Sequence, residues 1–446
     1  MNPTHGKDGS LQAGAASANL TPQESVFLFG YPHVPRHSTG VHDQLETTAL
    51  FLRGSGGEAL FIANDLIFVG KSLAAEVRRR ICIKTGVPIS AIAITATHTH
   101  SGPVMRDYPI DPSDPVVPKA DPAYLAFVAE QMVEVGCAAV RSAVPAEAGL
   151  AVAHAEGVGT NRHDPAGPAD PDVPVLVVRA LGRAEPLACM LTYAMHPTVL
   201  HEDSKLISAD FPGFTRQYLR AQKLLPPSCP VLYHNGASGN QSPRHVTQAN
   251  TFAEAQRLGE KLGAAVARVI PGIEFSSRLM ITTRSTTIDL EVREIPALPV
   301  ARANMADAAA HLAQLRRDQA PRAAVRTAEC ASFGAEKSVV LAQARAEGRL
   351  DRAIKGCAPA EVQVIGIGPW KFVTWPGEFF VEYALAVRAR SPQTFVITLA
   401  NGELQGYIVT PEAVAAGSYE AGNALFSPAN GQRVVEATLA LLAAGA

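Results

Sequence analysis

The run Ile94-Thr-Ala-Thr-His98-Thr-His100-Ser-Gly-Pro103 places two imidazoles two residues apart at the end of a short apolar stretch. Residues i and i+2 of a strand face the same way, so the spacing predicts that His98 and His100 project together from a strand end. Clefts of α/β proteins lie at such ends. Imidazole is the commonest metal ligand because its neutral form is available near physiological pH. Two histidines satisfied by neighbouring Thr and Ser hydroxyls would look the same in sequence. A second strand, Leu187–Tyr193, runs into Ala194-Met195-His196-Pro197 and offers another histidine at a strand end, with His201 a weaker candidate five residues on. The third element is Trp375-Pro-Gly-Glu378-Phe379, where a Pro-Gly turn delivers a glutamate to the expected N-terminus of a helix. A carboxylate there caps free N–H groups, or serves as a third protein ligand in a His₂Glu set with an open position for water.

Further candidates are tyrosines and one arginine. Tyr407 follows Gly406, and Tyr419 sits in Gly417-Ser-Tyr-Glu420. A phenol binds a metal or donates to a developing oxyanion, although each tyrosine alone reads equally as a core aromatic. Arg162, in Asn161-Arg162-His163, is either an anion holder or a solvated side chain. The Gly/Ser/Asn loop Asn235-Gly-Ala-Ser-Gly-Asn240-Gln-Ser-Pro243 predicts close backbone approach to a ligand. Its order is not that of a nucleophile elbow, and no P-loop, dinucleotide fingerprint or HExxH helix occurs.

These residues need elements to hold them. Thr47–Leu52 and Ala59–Ala63 around GSGG read as a hairpin, and Ala91–Thr97 as a buried strand. Val175–Arg179, Leu187–Tyr193, Val231–Tyr233, Arg278–Leu290, Val362–Gly366, Lys371–Trp375 and Thr394–Leu399 read as further strands. Helices are expected at 71–84, 124–142, 214–224, 251–269, 300–317, 335–348, 379–388 and 432–442. Irregular alternation with several hairpin pairs argues for an α/β protein with α+β tendency, its mixed sheets flanked by helices. Segment 1–14 reads as a flexible N-terminus, and 299–350 as a helical insert suited to a cap. The stretch 103–122 holds six prolines, so it reads as an irregular loop on the cleft wall.

Composition sets the outer bounds. The 446 residues carry 39 basic against 41 acidic side chains, a net charge of -2, which argues against a nucleic-acid partner. Hydrophobic residues at 47% and charged at 18% exclude disordered and fibrous classes. The six cysteines form no CxxC pair. No apolar leader and no run long enough for a transmembrane segment is seen, so a cytoplasmic location is expected. Nothing read here bears on oligomeric state.

Taken together, these motifs resemble the catalytic domain of the neutral, non-lysosomal ceramidase family. The resemblance rests first on ATHTHSGP (96–103). It runs on, in chain order, through SANLTP (17–22), GY (30–31), GVHD (40–43), AND (63–65), TNR (160–162), YAMHPT (193–198), SADFPG (208–213), NGASGNQSP (235–243), WPGE (375–378) and GYIVTP…GSYE (406–420). It implies one ceramidase-like catalytic domain over 15–446, without that family's C-terminal β-sandwich. It also implies zinc-dependent hydrolysis of a linear N-acyl amide by metal-activated water, with one catalytic Zn2+. By the same resemblance His98, His196, Glu378 and Tyr407 match zinc ligands, and His100, Arg162 and Tyr419 match residues that contact the substrate carbonyl or oxyanion. Asn240 stands where the family often has Asp, which speaks against a second, structural Ca2+ or Mg2+. A substrate smaller or more soluble than ceramide is expected. A zinc esterase or lactonase on the same site, and a non-catalytic binder of a small ligand, are the alternatives.

Overall fold

The computed structural model describes residues 9–107, 111–112 and 114–444. Eight strands form the main sheet: β1 (Gln12–Asn19), β2 (Glu46–Gly54), β3 (Gly57–Asn64), β4 (Ile92–Ala96), β5 (Val144–His154), β6 (Asp172–Ala180), β7 (Pro186–Tyr193) and β8 (Val231–Asn235). Their spatial order is β8-β7-β6-β5-β1-β2-β3-β4. The sheet is mixed, with only β7–β8 and β3–β4 parallel. A second sheet contains β9 (Ile281–Ile288), β10 (Ala360–Ile367) and β11 (Trp370–Thr374). After it come the short β12 (Glu378–Phe379), then β13 (Thr394–Ile397), which closes the second sheet in the order β9-β10-β11-β13, and the short β14 (Tyr407–Ile408).

Alternation along the central strands decides how the layers stack. Ala49, Phe51, Leu60 and Ile62 face helices α1 (Lys71–Thr85) and α2 (Pro122–Arg141), meeting Val77, Ile81, Val128 and Met132. Their neighbours Leu50, Leu52, Phe61 and Ala63 face the other way, onto Ile365, Phe372, Phe395 and Ile397 of the second sheet. With both faces covered, these strands read as continuous apolar runs. Each large side chain so buried contributes about 1.5–3 kcal/mol. Farther along the main sheet, α3 (Phe211–Ala221) and α4 (Phe252–Val269) cover Val175, Val177, Leu191 and Val231. The second sheet's outer face, with Val362, Val364 and Val373, is covered by α6 (Arg322–Ala346), α7 (Leu350–Cys357), α8 (Val381–Arg390) and α11 (Ala429–Ala443). α6 pairs in a helical hairpin with α5 (Leu298–Arg317). Two short helices, α9 (Pro411–Ala415) and α10 (Tyr419–Asn423), follow β14. The result is a four-layer α/β/β/α stack, in keeping with mixed sheets flanked by helices.

Several expectations need correction. Of the segment 1–14, residues 1–8 lie outside the described residues, and 12–14 open β1, where Ala13 is fully buried. β5 and α7 have no counterpart among the expected elements, and α6 begins 13 residues before the expected 335. α2 is long and apolar enough, by length and composition, to cross a membrane. Its Tyr124, Val128, Met132 and Val133 are nevertheless spent in the core beneath β1 and β2, as in a soluble core helix.

The two sheets are tied at one end. Asn401, after β13, donates its N–H to the Ile94 carbonyl at 2.7 Å and accepts the Ile94 N–H on Oδ1 at 2.9 Å. Thr398 donates its N–H to the Asn235 carbonyl at 2.8 Å. The ends of β4 and β8 thereby meet the segment after β13, whose Leu399 and Ala400 N–H groups donate to the carbonyls of Gly377 and Trp375 in the turn that leaves β11.

Candidate metal centre and cleft

β4 stops at Ala96, and His98 has φ +72°. The pairing of His98 and His100 therefore does not come from strand alternation. The chain turns over at His98, and the two rings still converge, with Nε2 atoms 3.4 Å apart. What fixes His98 is the segment after β3. Leu66 O accepts its N–H at 2.9 Å, and Ile67 O accepts from Nδ1 at 2.8 Å. A carbonyl only accepts, so Nδ1 carries a proton and Nε2 faces the cleft.

His196 is held in the same way by the Gly/Ser/Asn loop. Its Nδ1 lies 2.6 Å from Ser238 O and 3.1 Å from Gln241 O, which leaves Nε2 facing the cleft. Glu378 closes the group: one carboxylate oxygen, Oε2, lies 3.2 Å from His98 Nε2 and 3.0 Å from His196 Nε2. Glu378 is not a helix cap. It pairs in parallel with Tyr407 as β12 against β14, and α8 starts only at Val381. That pairing sets the Tyr407 phenol beside the carboxylate. The Gly239 N–H braces the same segment by donating to Phe379 O at 2.7 Å.

His98, His100 and His196 form a group able to hold a metal ion, with one ligand nitrogen from each within 4.8 Å of the others. Burial and the neighbouring imidazoles hold His100 well below its ordinary range, so it is neutral. Burial likewise lowers His196, to about 4. Burial pushes Glu378 upward, but the His98 and His196 rings outweigh it and hold the carboxyl well below the usual range. Imidazole nitrogens around an ionised carboxylate are a donor set that a borderline divalent ion such as zinc takes. Unlike the other two histidines, His100 has no hydrogen-bond partner on its buried Nδ1 among the described residues.

Arg162 stands behind Tyr407. Its Nε donates to Glu420 Oε1 at 2.7 Å and an Nη to Gly239 O at 2.6 Å, with its guanidinium carbon 5.4 Å from the centre of the Tyr407 ring. Two of its five N–H donors are thus committed to protein acceptors. Tyr419 packs edge-on against Tyr407, centroids 6.0 Å apart. Burial, then the Glu378 charge, raises the Tyr407 phenol far above its normal value, and burial raises Tyr419 too, so both stay protonated. His201 lies apart from the three-histidine group, on the cavity wall beside Tyr31.

Sequence reasoning assigned no role to three of the residues that build this site. Glu420 takes Arg162 on one oxygen and His163 on the other. Tyr31 donates to Leu200 O at 2.9 Å beside the His100 ring. Arg36, fully buried, donates to the carbonyls of His100 and His201. Tyr31 and Glu420 fall inside the quoted motifs, which was the available signal; Pro35-Arg36-His37 carried none. Asn240 spends its amide on α8, accepting the Val381 N–H at 3.0 Å and donating to Glu382 at 2.8 Å, so that position supplies no carboxylate to a second ion.

The group opens into a cavity of about 520 Å³. Asp111, Asp114, Val116 and Val117 of the Pro-rich loop line it, as do Phe333, Lys337 and Val340 of α6. Residues 108–110 and 113 of that loop lie outside the described residues. Phe333 stacks on His33 at 4.1 Å, joining α6 to the N-terminal loops.

No family model and no curated protein matches the sequence. Among solved structures, neutral ceramidase from Pseudomonas aeruginosa superposes with a TM-score of 0.74 at 19% identity, over 98% of this chain and 75% of that one. A ceramidase complexed with C2 superposes with a TM-score of 0.72 at 17% identity, over 97% and 75%. The chain has the fold of the neutral ceramidases.

Proposed function

We propose that the protein is a zinc-dependent hydrolase of an N-acyl amide. The observation that carries this is the convergence of His98 and His196, each anchored through Nδ1 to backbone carbonyls, on one oxygen of Glu378. In this reading His98, His196 and Glu378 would hold the ion, with Tyr407 beside them. His100, lacking a comparable anchor, is left to the substrate. When bound, zinc supplies a Lewis acid that brings the pKa of water toward about 7.

The chain's own residues supply the rest. The protonated Tyr419 donates to the carbonyl oxygen as it gains charge, a contact typically worth about 3–4 kcal/mol. Neutral His100 accepts the proton of the attacking water and returns it to the leaving nitrogen. Arg162 acts through Tyr407, holding the phenol against Glu378, rather than on the substrate directly. The fold shared with ceramidases supports amide chemistry. A cavity of about 520 Å³ with Phe29, Phe68, Val117 and Val340 in its wall supports an acyl compound as the ligand.

The test is elemental analysis of the wild type and His98→Ala, with release of octanoate from an N-octanoyl amide as the activity. The wild type is expected to hold about one zinc per chain, to lose activity on chelation and to regain it with zinc; His98→Ala loses both metal and activity. Equal, substoichiometric metal in the two proteins would sink the proposal.

A further inference from the structure

One cation of the cleft, Arg244, has no carboxylate partner among the described residues. Arg244 lines the cavity, three residues beyond Gln241, whose carbonyl anchors His196. Its only side-chain hydrogen bond among the described residues runs from an Nη to the Cys330 thiol sulfur at 3.6 Å, a weak acceptor. The carboxylate whose charge acts on it, Glu420, is already engaged. Glu420 is divided between Arg162 and His163, each at 2.7 Å. Arg326, a cavity neighbour, is itself paired with Glu202 at 3.3 Å and Glu329 at 2.6 Å. The other free-standing cation of the cavity, Lys337, has Asp111, Asp114 and Glu403 around it. Among the described residues Arg244 is therefore the lining cation without a carboxylate partner.

Arg244 is only partly buried, so its guanidinium keeps donors open to a ligand, and its planar fork matches an oxyacid. Phe29, Phe68, Val117 and Phe333 supply apolar wall to the same cavity. A bound divalent ion would add to the positive field. Taking the amide-hydrolase reading of this site as given, we propose that Arg244 selects amides bearing an anionic oxyacid group, most simply a carboxylate, on a largely apolar acyl compound. Arg244 binds that group while the apolar portion lies against the Phe and Val side chains.

The matched probes are N-octanoylglycine and N-propyloctanamide, alike in length and differing in charge, assayed with the zinc-loaded wild type, Arg244→Gln, Arg244→Lys and Arg244→Glu. The wild type is expected to favour N-octanoylglycine in kcat/KM by about tenfold or more, mainly through KM. Arg244→Gln lowers that preference ratio by about tenfold, and Arg244→Lys recovers part of it. Arg244→Glu turns the preference toward the cationic N-octanoylethylenediamine. A wild-type ratio near unity, or a ratio unmoved in both Arg244→Gln and Arg244→Glu, overturns the inference. Should no amide be cleaved, the hydrolase reading fails by itself. The anion inference is then decided by calorimetry: N-octanoylglycine must bind the wild type more tightly than N-propyloctanamide, and Arg244→Gln must erase the difference. Equal affinities overturn it.

Discussion

Individual side chains at the centre were legible because each carries its chemistry in its type. His98, His196 and Glu378 stand beside turn residues at strand ends, and the fold brings them together. Their supports were not legible, because a partner's distance along the chain is invisible to local pattern. Arg162 and Glu420 are 258 positions apart and form a buried ion pair. Removing one member of such a pair leaves the other uncompensated, so Glu420→Gln is expected to cost about 3–5 kcal/mol at pH 7, read by chemical denaturation. The pH dependence has a definite sign. Burial raises the Glu420 carboxyl, but Arg162 and His163 overcome this and hold it near about 2, below its ordinary 4.5. The stability it contributes is thus fully present above 4.5 and is lost as pH falls toward about 2. The gap between wild type and Glu420→Gln should narrow steadily between pH 5 and pH 3. A gap that stays constant there would show that the charge of Glu420 is not what holds Arg162.

At the scale of elements, the missed strand and the helices at the cleft have physical reasons. After Gln12, β1 is composed of Ala, Gly, Ser and Asn because α2 lies directly on it: a Cβ added at Gly14 would sit 2.1 Å from the Ala139 carbonyl oxygen. Small residues chosen for fit carry no strand propensity, and so the segment reads as flexible. β5 is similarly Ala- and Gly-rich. α6 and α10 are joined by the same device. A Cβ at Gly422 would lie 2.6 Å from the Gly334 carbonyl oxygen, a backbone atom with little room to yield. α10 begins with Tyr419, so this contact also sets the depth of the phenol in the cleft. Gly422→Ala should lower stability by about 1–3 kcal/mol. Displacing Tyr419 by a fraction of an ångström should lower kcat by about tenfold or more at a temperature where the variant is fully folded. Full kcat in a destabilised Gly422→Ala would detach Tyr419 from catalysis while leaving the packing argument intact.

For the whole molecule, the four-layer stack explains why the candidate site draws on residues from 98 to 420. β4 and β7 of the main sheet deliver His98 and His196, and the turn after β11 of the second sheet delivers Glu378. The apolar runs of β2 and β3 read as a hairpin, but nothing in them shows that helices cover one face and another sheet the other, because a strand's pattern does not record what lies on it. An ion bound by His98, His196 and Glu378 would join the two sheets at their common end, and so should act on the cooperative unfolding of the entire domain. A ligand that binds only the folded state adds RT ln(1 + [L]/Kd), about 2.7 kcal/mol at a hundredfold excess over Kd. Calorimetry of the zinc-loaded protein should therefore show one transition, shifted down as a unit by several degrees on chelation and restored by zinc. His98→Ala should melt near the chelated wild type and respond to neither treatment. If zinc moved the transition of His98→Ala as far as that of the wild type, the stabilising ion would lie elsewhere, and the bridge between the sheets would have to be assigned to Asn401 and Thr398 alone.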